Sequence, residues 1–327
     1  MRNAITMMFM TTTLALEAAL EARRSGVVAV ERPDLAVLEL HGADVLRYLH
    51  TVSSQHTAEL RPGDATSALL LSPKGKIEFA FRLAVTDGGA LLDTQAAAAQ
   101  ALAERLERFV FRYDVAVRVL QAGGLSLLGP GAQVALEAAG LPPVPPRPDR
   151  ATVAGGLVVH RTAAGVDLLG VEAGEALAAL ERARVARAPL EVWELARIEL
   201  GLPRWGDELT DDVLAEEAGL LGSHVHLDKG CYPGQETVAR VHNLGQVQRR
   251  LAGLRFDAEQ PPAPRSELRT EDGRRAGQIR SVALHPELGP IGLAFVRQVA
   301  PSGSRVLAGE SAALVVDLPF RPDRPSN

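Results

Sequence analysis

Three runs decide how this chain folds: RIELGLPRWGDEL at 197–209, EEAGL at 216–220 and KGCYPGQETVARVHNLGQVQRRLAGL at 229–254. The last holds the only cysteine, Cys231, between Lys229 and the Gln235-Glu236 pair. Glycines and a proline flank the thiol, so the segment reads as a turn at a surface or cleft rather than a core strand. A core cysteine is an inert small hydrophobe. A reachable thiol with a cation nearby, as Lys229 offers, is one whose thiolate can be favoured.

Together these runs resemble the YgfZ family of folate-binding proteins linked to iron–sulfur cluster maintenance. That family is in turn related to the T-protein of the glycine cleavage system, the aminomethyltransferase that uses tetrahydrofolate. The likeness extends from about Leu35 to Leu318. It implies an α+β, T-protein-like folate-binding scaffold with ferredoxin-like α/β subdomains and a C-terminal small β-barrel. The expected organisation is an N-terminal helix and tail over 1–26, a folate-binding region of two interleaved subdomains over 27–245, the barrel over 246–320, and a tail over 321–327.

Composition agrees with a globular protein of two or three domains: 327 residues, 46% hydrophobic and 23% charged. A formal net charge of −5 argues against a chain built mainly to bind nucleic acid, although a local basic groove stays compatible with it. One cysteine excludes an internal disulfide framework and a four-thiolate cluster, so any iron–sulfur cluster belongs to a partner. The first residues imitate a signal peptide only in Arg2 and the apolar stretch after it; Thr11–Thr13 and Glu17 interrupt that stretch. It is too short and polar for a membrane span, which leaves the expectation of a cytoplasmic protein with an amphipathic helix ending near Gly26.

Along the chain, a strand at 35–40 precedes a helix carrying Val45, Leu46 and Leu49. Strands at 67–71 and 77–85 flank the Pro-Gly turn Ser72–Lys76 and make a hairpin. A further strand at 90–93, a helix over 95–112 and a strand at 115–119 follow. The pattern repeats with a strand to Leu128, a helix to Ala139, strands at 157–161 and 166–169, and helices over 172–186 and 190–200. Short apolar runs at 250–255, 277–281, 289–296 and 311–317 then suggest an all-β module, plausible as a barrel.

The resemblance assigns roles to particular residues. A pterin presents adjacent N–H donors that one carboxylate accepts together, much as it accepts an arginine fork. Glu236 matches the T-protein glutamate in that role, with Gln235 beside it in the binding motif. Trp205 stands where related enzymes carry a ring able to stack on the pterin, and Arg240 is the candidate for the folate glutamate tail. The T-protein also needs an aspartate in the second strand of the early hairpin; here Phe79 and Ala80 occupy the aligned positions. Glu78 would serve only after a one-residue shift that turns it to the opposite strand face. The loop His50–Gln55 also departs from the expected Thr-Asn-Asp type, which leaves open whether Ser53–Gln55 still serve folate.

Cys231, with Lys229 as its helper, keeps several readings: redox exchange, transient attachment of a one-carbon or sulfur species, contact with a partner's cluster, or a purely structural part. His224, His226 and Asp228 lie close enough in sequence to raise a zinc site, but no second ligand cluster has standard spacing, so the metal expectation is none. Arg249-Arg250 and Arg274-Arg275 read as solvated pairs on an acidic protein, and Gly129-Pro130-Gly131 as a simple helix entry. The resemblance therefore implies a folate-binding accessory protein for assembly or repair of clusters in iron–sulfur client enzymes. Its cofactor would be tetrahydrofolate or a derivative, and its support of tRNA modification indirect, without strong nucleic-acid binding or membrane attachment. The competing readings are a tetrahydrofolate-dependent one-carbon transferase and a non-catalytic docking scaffold.

Overall fold

The structure, a computed structural model, describes residues 16–120, 123–170, 172–245 and 247–320. The leader-like reading of residues 1–15 and the tail after 320 lie outside the described residues. By compactness the chain divides into two units. One takes the described residues up to Thr51 together with Gln55–Ala68 and Phe81–Trp193; the other takes Val52–Ser54, Leu69–Ala80 and the described residues from Glu194 onward.

The first unit opens with helix α1 (residues 16–25), then β1 (Val28–Glu31), β2 (Leu35–His41) and α2 (Val45–Val52). The hairpin strands β3 (Ala65–Leu71) and β4 (Ile77–Thr86) come next, their turn-side ends within Leu69–Ala80 counting with the second unit, followed by β5 (Gly89–Gln95), α3 (Ala96–Glu107) and β6 (Ala116–Val119). The second half of the unit contains β7 (Gly124–Leu128), α4 (Ala132–Ala139), β8 (Ala151–Ala154), β9 (Leu157–Arg161), β10 (Val166–Leu169), α5 (Ala173–Arg182) and β11 (Ala186–Ala188). One sheet has the order β3-β4-β5-β2-β6 and the other β11-β1-β7-β10-β9-β8. Pairing is antiparallel except for β1 with β11.

Strand alternation explains how this unit is filled. Leu125, Leu127, Val159, Val166 and Leu168 join one apolar cluster with Leu136 of α4 and with Leu177 and Leu180 of α5. Their neighbours Ser126, His160 and Asp167 point to the opposite face and build a buried polar layer. Arg82 on β4 bridges Asp93 and Asp167, each at 2.7 Å, while His160 Nε2 lies 3.3 Å from Asp93. Burial alone would raise the Asp93 carboxyl, but Arg82 and His160 outweigh that effect and hold it at about 2.

The second unit contains most of α6 (Leu190–Leu200), then α7 (Leu221–His224), α8 (Gln235–Leu244) and six strands. These strands are β12 (Arg249–Phe256), β13 (Glu267–Thr270), β14 (Arg275–His285), β15 (Gly289–Arg297), β16 (Arg305–Ala308) and β17 (Ser311–Val316). They close into a barrel in the order β12-β15-β14-β13-β16-β17, filled by Leu254, Leu268, Ile279, Val296, Val306 and Val315. A register shift between Ile279 and Ser281 bends β14, as a bulge does where a barrel must curve.

The four barrel runs read from sequence are β12, β14, β15 and β17, so the barrel expectation holds. The short strands β13 and β16, each with only two buried side chains, carry too weak an apolar signal to be read, yet they complete the closure. Two helices are shorter than their sequence pattern. α3 gives way to a separate 3-10 turn at Val110–Arg112, where aromatic and β-branched residues replace the alanine-rich run. α5 stops before Arg184, whose φ of 64° is left-handed. Among the described residues no helix is long and apolar enough to cross a membrane.

Candidate functional site

The first of the opening motifs is a buried ionic network that shapes a turn. Arg197, on α6, gives Nη1 to Glu208 Oε2 at 3.2 Å, Nε to Glu194 at 2.7 Å and Nη2 to the Ser281 hydroxyl at 2.8 Å. Glu208 is fully buried and also accepts the Arg204 backbone N–H at 3.0 Å. The turn from Gly201 to Glu208 is thereby held by charge-assisted bonds from within, and Trp205 sits on it. The indole N–H donates to the Glu78 carbonyl at 3.0 Å, and the ring lies nearly parallel to Phe79, with centroids 6.1 Å apart and 7° between the planes.

That stacking lies at the hairpin positions where the resemblance leads one to expect an aspartate. At the positions where the resemblance places the expected acid, the strand presents the Phe79 ring stacked on Trp205, followed by Ala80 packed into the apolar cluster around Ile77 and Val213. Glu78 is the neighbouring carboxylate, half-buried, and strand alternation sets it on the face opposite Phe79.

The cysteine loop is anchored on both sides of an outward-facing thiol. Lys229 is only 5% exposed; its ammonium donates to the Ser53 carbonyl at 2.6 Å and lies 4.8 Å from the centre of the Tyr232 ring. Burial pulls its pKa down to about 8, and burial likewise raises that of the Tyr232 phenol. The charge read in the sequence as a helper for the thiol thus has a structural task at Ser53. Between Lys229 and Tyr232, Cys231 is exposed.

Ser53 and Ser54, the residues that depart from the expected loop, are both buried and grip the approach to the thiol. The Ser54 hydroxyl donates to the His224 carbonyl at 2.6 Å and accepts the Leu69 N–H at 2.9 Å, while its carbonyl accepts the His226 N–H at 2.9 Å. The histidines of the zinc alternative are thus tied into this knot by their backbones. Among the described residues no three His, Cys, Asp or Glu side chains assemble into a metal-binding group.

Gly234 turns the loop into α8. Its φ is +83°, and a Cβ there would lie 2.6 Å from the Ser72 carbonyl and 2.9 Å from the Gly75 Cα, so the loop rests directly on the hairpin turn. α8 then begins with Gln235, whose amide donates to the Lys229 carbonyl at 3.3 Å, and Glu236, exposed in the first turn, where the helix dipole favours a carboxylate. Arg240 follows one turn later, also exposed, on the same helical face as Glu236. The sequence of residues 229–236 reads as a turn, with no helical signal beyond it. The polar composition after Gly234 hides a helix in which Val238 is deeply buried.

Two acidic residues of EEAGL received no role from sequence. Glu217 is buried, accepts the Leu214 N–H at 3.0 Å and pairs with Arg249 at 3.1 Å. Glu216 lines a cavity of about 10 Å³ beside Gly75, Thr237 and Val238, and its buried Oε2 has no hydrogen-bond partner among the described residues. The adjacency of two glutamates was the available signal, but their division between a paired and an unpaired carboxylate depends on β12.

For a reduced folate, the donor set is chemically suitable: an exposed carboxylate at Glu236, a cation one turn on at Arg240, and an indole plane at Trp205. Gln235 retains its amide oxygen after donating to Lys229.

The fold is that of a glycine-cleavage T-protein. The aminomethyltransferase T structure from Bartonella henselae superposes with a TM-score of 0.84 at 23% identity, covering 94% of this chain and 90% of that one. In sequence, an aminomethyltransferase of Moorella thermoacetica is 35% identical over 44% of this chain and 40% of its own. The human mitochondrial iron–sulfur cluster assembly factor IBA57 is 32% identical over 29% of this chain and 27% of its own. The tRNA-modifying protein YgfZ of Aliivibrio fischeri is 27% identical over 39% of this chain and 42% of its own. The matched stretches thus span less than half of these three relatives. No protein-family model matches. The chain is a relative of the YgfZ and IBA57 proteins, built on the T-protein scaffold.

Proposed function

We propose that this protein is a folate-binding accessory factor that assembles or repairs iron–sulfur clusters in client enzymes, with Cys231 as its essential thiol. The observation that carries the reading is the anchoring of the cysteine loop: Lys229 and Tyr232 are buried while the single cysteine between them faces solvent. Such an arrangement holds a sulfur in a defined place and leaves it reachable by a partner's cluster or thiol. Glu236 would accept the pterin N–H pair, Trp205 would offer its ring, and Arg240 would meet the glutamate tail. A bound reduced folate supplies one-carbon chemistry or a binding-dependent signal to the client. Indirect support of tRNA modification follows if the clients modify tRNA.

The alternative, a one-carbon transferase, has the sequence likeness to aminomethyltransferases in its favour. It lacks a carboxylate at the expected hairpin position, where Phe79 stacks on Trp205.

Calorimetric titration of tetrahydrofolate tests the folate half of the proposal. Wild type is expected to bind, and Glu236→Gln to bind at least about tenfold more weakly, the loss of one charge-assisted bond pair. Absence of binding to the wild type, with client rescue retained, would move the protein to the docking-scaffold reading.

A further inference from the structure

Arg274-Arg275, read from sequence as an isolated solvated pair, is not isolated in the fold. Arg274 lies in the turn between β13 and β14, Arg275 opens β14, and Arg297 closes the neighbouring β15. The antiparallel register that pairs Gly277 with Val296 brings these strand ends together. With Gln248 and Gln298 they line an open groove of about 720 Å³ on the barrel, and Val247 and Val299 add apolar wall. The Gln298 amide donates to the Val247 carbonyl at 2.8 Å and fixes that rim.

The charges in the groove are unevenly satisfied. Arg274 meets Asp272 through Nε at 2.8 Å, and Arg275 meets Glu267 through Nε at 3.2 Å. For Arg297, no carboxylate lies within ion-pairing distance among the described residues. Three exposed guanidiniums against two carboxylates leave a net positive groove on a protein whose overall charge is −5. Planar guanidinium forks match phosphate oxygens, and several forks around one opening suit a group with more than one negative charge. The volume falls in the range of small-molecule sites, well beyond a bare ion, and the glutamine amides and valines offer contacts to an attached organic group.

We infer that this groove binds a phosphate-bearing ligand, either a small phosphorylated compound or the phosphodiester backbone of RNA. The inference is independent of the role of Cys231 and of folate.

The test uses the full chain with two probes: inorganic pyrophosphate by calorimetry and a short fluorescent single-stranded RNA by anisotropy. Both are expected to bind wild type and to bind Arg275→Ala/Arg297→Ala at least about tenfold more weakly, since two charge-assisted contacts are lost. Arg118→Ala, an exposed position in the other unit, should bind like wild type. Three phosphate contacts imply that RNA affinity falls about twentyfold between about 50 and 200 mM salt. Tighter binding of RNA than of pyrophosphate, with that salt response, identifies RNA as the source; equal or weaker binding identifies a small phosphorylated compound. Failure of both probes to bind, or undiminished binding to the double variant with its fold intact by circular dichroism, overturns the inference.

Discussion

The ammonium of Lys229 donates to the carbonyl of Ser53 at 2.6 Å, a bond between groups 176 residues apart in sequence that are both withdrawn from solvent. It ties the cysteine loop to the altered loop before β3. Lys229→Met leaves the Ser53 carbonyl buried without this donor and should cost about 1–3 kcal/mol at neutral pH, read by urea denaturation.

The same lysine gives a pH signature of defined sign. Its folded pKa is about 8 against an ordinary 10.5, so between those values the unfolded chain binds more protons than the folded one. Stability of wild type relative to Lys229→Met should therefore rise as pH rises through this window and stay level below it. A difference that is flat or falling from about 8 to 10.5 would contradict the burial of this amine.

Asp93 gives a dependence of the same sign at acid pH in the first unit. Burial opposes its charge, Arg82 and His160 favour it, and the carboxyl titrates at about 2 rather than 3.8. Its contribution is complete above the unfolded value and is lost as pH falls through the folded one. Asp93→Asn should cost about 3 kcal/mol at neutral pH by breaking a buried pair, and the deficit should shrink between about 4 and 2. Denaturant midpoints across that range check both statements.

Gly234 tests whether the loop must rest on the hairpin. Gly234→Ala places a methyl group 2.6 Å from the Ser72 carbonyl at a φ of +83°. A loss of about 2 kcal/mol or more is expected, from backbone strain and displacement together. The rate of Cys231 modification by a thiol reagent should change in the same variant, because the glycine joins the thiol loop to α8. An unchanged melting temperature and an unchanged rate would count against this packing.

Much of the scaffold was legible because its signals are local. The hairpin around Ser72–Lys76, the short apolar runs of β9 and β10 and the four long barrel strands follow from pattern and turn chemistry. The edge strand β11, with one buried residue, and the short β1 carry no pattern long enough to read. The exposure of Cys231 was legible from its flanking glycines. The position of Lys229 was not, since its partner Ser53 is remote in sequence, and neither was the stacking of Phe79 on Trp205, which depends on the turn that Arg197 and Glu208 hold.

In the proposed function the outward thiol, on its anchored loop, is the group that acts on client enzymes. Cys231 is exposed, so Cys231→Ala should leave stability within about 0.5 kcal/mol of wild type. The decisive measurement is iron–sulfur enzyme activity in cells lacking their own protein of this type, complemented at matched expression with wild type or Cys231→Ala. Wild type is expected to restore the activity and the folded alanine variant to fail; equal restoration by both would make Cys231 a structural residue and overturn the proposed function.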